Sequence, residues 1–124
     1  MLLYEYAVIR MVPRVEREEF FNVGVVLFCK EKSFLKALFY IAPDKFTAFG
    51  GEISLHQLEE NLRSFEKMCN GNADGGPIAR LDLASRFRWL TAVRSSVIQT
   101  SRPHPGLCED PEETLQALFG KLVQ

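Results

Sequence analysis

Hydrophobic and polar positions along the chain divide it into seven segments of regular pattern. Residues 3–11 alternate, with Leu3, Ala7, Ile9 and Met11 on one face and Tyr4, Tyr6, Val8 and Arg10 on the other. That period predicts a strand, ended by Pro13. Residues 14–22 are a charged connection anchored by Phe20 and Phe21, and Glu19, directly before the next apolar run, is its best-placed carboxylate. Blocks of mixed charge ordinarily face water. Residues 23–29 are apolar throughout apart from Gly24, as expected of a strand covered on both faces in the middle of a sheet. A glycine inside such a run points to a bulge or a close backbone approach. A polar turn at 30–33 leads to a third strand at 34–41, giving an antiparallel hairpin.

After Pro43, Asp44 and the pair Gly50 and Gly51, the period changes from two to 3.6. Leu55, Leu58, Leu62, Phe65 and Cys69 recur at helical spacing, and Ser54 with Gln57 supplies a capping box for a helix over 54–69. The glycine-rich loop 70–76 ends it. A second helix is expected at about 82–92, capped by Asp82 with Leu83, Phe87 and Leu90 as its apolar stripe. Residues 96–100 read as a short fourth strand, and 101–109, punctuated by Pro103, Pro105 and Gly106, as a loop. Asp110, Pro111, Glu112 and Glu113 carry the start signals of a last helix, with Leu115, Leu118, Phe119 and Leu122 as its buried stripe. Four strands and three helices, the first three strands joined directly, predict an α+β fold: a four-stranded antiparallel or mixed sheet with about three helices packed mainly on one face.

Composition adds bounds to this picture. The 124 residues suit one domain spanning 1–124, and with 47% apolar and 25% charged residues they resemble an ordinary globular protein. The net charge of −1 provides no overall field for nucleic acid or an acidic membrane, so any anion site must be local. Cys29, Cys69 and Cys108 lack the close paired spacing of zinc ligands. They are read as reduced thiols of a soluble cytoplasmic protein, with Cys108, in its polar loop, expected to react faster than Cys29 on its apolar strand. The first residues show no basic leader or cleavage site, and no apolar run approaches the ~20 residues that cross a bilayer.

Candidate chemistry concentrates in residues 86–106, which hold the only tryptophan, Trp89, four arginines and one of two histidines. Ser95 and Ser96 stand before the fourth strand and His104 after it, so a Ser–His nucleophile pair needs special geometry, and there is no G-x-S-x-G elbow. His56, His104 and Cys108 make a weak metal set. No catalytic residue, metal or cofactor is assigned. Arg86, Trp89, Arg94, Ser96 and His104 form the candidate anion patch: guanidinium groups beside an aromatic ring suit phosphate, carboxylate or a stacked base. The competing reading is that the arginines are structural, pairing with Glu19, Asp82 or Glu109.

The segments EFFNVGVVLF (19–28) and GPIARLDLASRFRWLTAVRSSVIQTSRPHPGLCEDPEETLQALF (76–119) resemble the bacterial domain-of-unknown-function family 3037. The likeness covers nearly the whole chain and combines F-x-N-V-G-V, R-F-R-W-L-x-A-x-R-S-x-x-I-Q and a following H-x-G-L. The resemblance implies no known activity. It does imply a neighbour, since such proteins are often encoded beside a HipA-like kinase of the toxin–antitoxin class. A non-enzymatic binding or regulatory module for a protein partner is therefore expected. The alternative is a nucleotide- or nucleic-acid-handling protein, enzymatic or not, that uses the arginine cluster.

Overall fold

The structure, a computed structural model, describes residues 1–12, 20–49, 53–92 and 97–124. Most of the charged connection (14–19, with Glu19), the pair Gly50 and Gly51, and Arg94, Ser95 and Ser96 lie outside the described residues. The first three strands are β1 (Leu2–Met11), β2 (Phe21–Cys29) and β3 (Phe34–Phe39), a meander in which β2 pairs antiparallel with both neighbours. Next come α1 (Pro43–Phe49), α2 (Leu55–Asn70), two short 3-10 turns and α3 (Leu83–Leu90). The chain then returns to the sheet as β4 (Ile98–Thr100) and β5 (His104–Cys108) and closes with α4 (Pro111–Leu122). The class is α+β, as the pattern predicts.

At Gly24, where the sequence expects a bulge or a close backbone approach, both are present. Ile9 stands opposite Gly24 but Arg10 opposite Asn22, so Val23 is an extra residue and the strand bulges there. A Cβ on Gly24 would lie 2.5 Å from the Leu38 carbonyl oxygen. The bulge also resets the alternation of β2. Phe21, Val23, Val26 and Phe28 all face α2 and α3, whereas Val25, Leu27 and Cys29 face α4.

The sheet is therefore covered on both sides, which is why β2 carries no polar side. On one face Ala7, Ile9 and Met11 join Val23 and Val26 beneath Leu58, Leu62 and Phe65 of α2 and Phe87 and Leu90 of α3. Phe28 stacks on Phe87, with ring centroids 5.4 Å apart, and Phe46 of α1 packs against the same cluster. On the other face α4 sets Leu115 and Phe119 against Val25, Leu27 and Cys29. Among the described residues, α1, α2 and α3 thus share one face and α4 takes the other. A Lys36–Glu112 ion pair ties β3 to that helix.

Two elements differ from the sequence expectation. Pro43 and Asp44, which break the pattern in the sequence, open a helix over Pro43–Phe49, because proline and an acidic residue also begin helices. Residues 104–108, expected in a loop, are a strand paired with the first half of β1, Tyr6 opposite His104 and Leu2 opposite Cys108. Val8 and Ser101 exchange bonds here: the Ser101 N–H donates to the Val8 carbonyl, and the Val8 N–H donates to Ser101 Oγ, each at 2.9 Å. Even-numbered β1 residues therefore face this edge, so Pro105, opposite Glu5, has its nitrogen directed away from the sheet where no ladder bond is lost. Between Thr100 and His104 the chain advances four residues while β1 advances three, and Ser101 Oγ carries the ladder across that bulge.

Candidate functional site

Asp82 caps α3 by accepting from the Ser85 N–H at 2.7 Å, and this hydrogen bond holds its carboxyl below the ordinary carboxylate range. Because Phe87 and Leu90 must enter the core, the orientation of the eight-residue helix is set, and with it the directions of Arg86 and Trp89. Arg86 reaches back across the end of α2. Its Nη1 donates to the Leu81 carbonyl at 2.8 Å, and the same nitrogen would lie 3.0 Å from a Cβ on Gly71, the left-handed residue that ends α2. Arg86 Nε is shut from solvent and has no hydrogen-bond partner among the described residues. Arg86 makes no ion pair among the described residues. Beside it, burial pushes the Cys69 thiol up to about 12 against the opposing pull of the guanidinium.

Trp89 goes elsewhere. It is 37% exposed and forms the lip of a groove of about 490 Å³ between α2, α3 and β4. Phe65 and Met68 of α2, Leu90 of α3, and Val97 and Ile98 supply its apolar wall, while Asn61, Ser64 and Thr100 add uncharged polar groups. No charged side chain lines it among the described residues. The depressions beside α4 and β3 differ: Glu109, Asp110, Glu113 and Lys121 line one, and Glu59, Arg63 and Glu66 the other. Thr100 stands opposite Ile9 and Ile98 opposite Met11, so both side chains lie on the face covered by α2 and α3. Thr100 Oγ1 is solvent-inaccessible and has no hydrogen-bond partner among the described residues.

His104 lies on the other side of the sheet. Its ring packs on Tyr6, 5.3 Å between centroids at 37°, and Tyr6 belongs to the cluster under α4. Residues 101–106 run along β1 instead of folding back over β4, so Arg86, Trp89 and His104 occupy three separate places. Arg94 and Ser96 lie outside the described residues. His56 is exposed and paired with Glu60 at 3.0 Å. Cys108, expected to react faster than Cys29, is only 5% exposed because β5 packs it against β1. Among the described residues no three His, Cys, Asp or Glu side chains converge as a metal set.

The chain matches the family described as "Protein of unknown function (DUF3037)" over residues 6–123, nearly its whole length. It belongs to that family. No curated protein and no solved structure matches it. Of the residues that line the groove of this DUF3037 protein, Trp89 alone belongs to the candidate anion patch of the sequence. Phe65 read as a core position of the α2 stripe, and Thr100 as the end of a short strand. Their only common signal was the change of period along the chain, which says nothing about which elements become neighbours. Among the described residues of this DUF3037 protein, no helix is long and apolar enough to cross a membrane.

Proposed function

We propose that this DUF3037 protein is a non-enzymatic binding or regulatory module of the bacterial cytoplasm, and that its partner, a protein, seats an apolar group in the groove between α2, α3 and β4. The observation that carries this reading is the groove itself, uncharged, largely apolar and lipped by a half-exposed tryptophan. Tryptophan is enriched among the few residues that dominate protein interfaces, and concave apolar sites supply affinity by burial instead of charge. A HipA-like kinase encoded beside the gene is the partner to test first, because the family resemblance implies that neighbourhood.

The test is co-expression with that kinase, followed by copurification and measurement of affinity. A stoichiometric complex is expected, and Trp89→Ala should weaken it at least about tenfold. A complex of unchanged affinity would remove the groove from this role. The same preparation addresses the nucleotide or nucleic-acid reading, whose support is that Arg86 makes no ion pair among the described residues. Nucleotide or nucleic acid carried through purification, and lost in Arg86→Ala or Arg94→Ala, would support that reading over the first.

A further inference from the structure

We infer that the group seated in the groove is an uncharged aromatic side chain with a polar tip, a tyrosine of the partner, whose hydroxyl meets Thr100. This rests on the binding-module reading above and adds the chemistry of the occupant. Phe65 and Trp89 present rings and Met68 a thioether, surfaces that favour another ring through edge, stacked and sulfur contacts. A cavity of about 490 Å³ accepts such a ring together with the backbone on either side of it. A charged guest would give up its hydration with no counter-charge among the described residues of the wall.

Thr100 selects among neutral rings. Its hydroxyl oxygen is buried and has no partner among the described residues, which leaves a polar group unsatisfied on a wall that is largely apolar. In this rotamer the oxygen is shut from solvent, so the guest meets it only after a rotation of about 120° about χ1 exchanges the hydroxyl with the methyl group. A phenol both donates and accepts, so it satisfies Thr100 in either role, whereas a phenylalanine ring leaves the hydroxyl unpaired.

The single tryptophan of the chain provides one indole N–H signal in a nitrogen-15 NMR spectrum of the full-length protein, and that signal reports on the lip of the groove. The probes are p-cresol for a tyrosine side chain, toluene for phenylalanine, and phenyl phosphate for a charged ring. The expected result is a saturable shift with p-cresol at lower concentration than with either other probe. Thr100→Val should weaken p-cresol about fivefold, the worth of one ordinary hydrogen bond, and leave toluene unchanged. Thr100→Ser, which keeps the hydroxyl, should bind p-cresol like the parent. Toluene binding as tightly as p-cresol, a Thr100→Val variant that binds p-cresol normally, or tightest binding of phenyl phosphate each overturns the inference. If p-cresol fails while Trp89→Ala still disrupts the partner complex, the binding-module reading stands and the tyrosine assignment falls.

Discussion

Gly24 and Gly106 both lie under a neighbour, but the neighbours differ in what they can concede. A Cβ at Gly24 would meet the Leu38 backbone oxygen at 2.5 Å and the Phe39 ring at 2.9 Å, and neither can retreat from the centre of the sheet. At Gly106 it would meet the tip of Tyr4, also at 2.5 Å, on an edge strand where a ring can swing aside. Gly24→Ala should therefore cost about 3 kcal/mol, the upper end for overpacking a core, and Gly106→Ala about 1 kcal/mol. Urea unfolding of the two variants checks this, and the reverse order would be inconsistent with β2 at the centre. A glycine inside an apolar run is visible in the sequence. The burial of Cys108 is not, because it depends on β1, more than 100 residues earlier.

At the level of elements, helix ends were the most legible feature, since a cap involves residues within one turn of one another. The Ser54–Gln57 box closes in both directions, Asp82 caps α3, and Asp110 with Pro111 opens α4. The region joining α2 to α3 also contains Asp74, whose carboxyl the Lys67 ammonium holds below the ordinary value, as the Ser85 N–H does for Asp82. A carboxyl whose folded pKa is depressed stabilises the fold above its unfolded value, here 3.8, and that contribution disappears as pH falls through the folded pKa. The melting temperature should therefore drop on acidification below about pH 4, and drop less in an Asp74→Asn/Asp82→Asn double variant. Both groups are exposed, so the effect is modest, and identical pH profiles would show that these carboxylates are not coupled to folding. The strand β5 was illegible at this scale because a strand is completed by its neighbour, and two prolines obscured the local signal that an edge position tolerates.

For the whole molecule the consequence of a sheet covered on both faces is that β2 has nowhere to place a charge. Val25 and Leu27 are wholly buried under α4, and an unpaired carboxylate there costs several kcal/mol, comparable to the entire stability of a small domain. Val25→Asp should abolish the cooperative melt. Leu3→Asp, on the same sheet but 59% exposed, should melt within a few degrees of the parent. A Val25→Asp protein with an unchanged midpoint would refute the central placement of β2.

Read without any structure, the chain reveals the period of most segments, the caps of three helices, the hairpin of β2 and β3, an irregularity at Gly24 and the α+β class. All of these follow from steric and hydrogen-bonding rules that act over a few residues. Tertiary packing alone places α4 on the face opposite α2 and α3, extends the sheet beside β1 with residues 104–108, and sends Arg86, Trp89 and His104 to different places. It also decided that Phe65, Trp89 and Thr100, drawn from three elements, line one groove. The physical reason is that an amphipathic stripe records how much surface an element must bury but not the element that will bury it. A site made of such stripes exists only once the sheet has brought distant segments together.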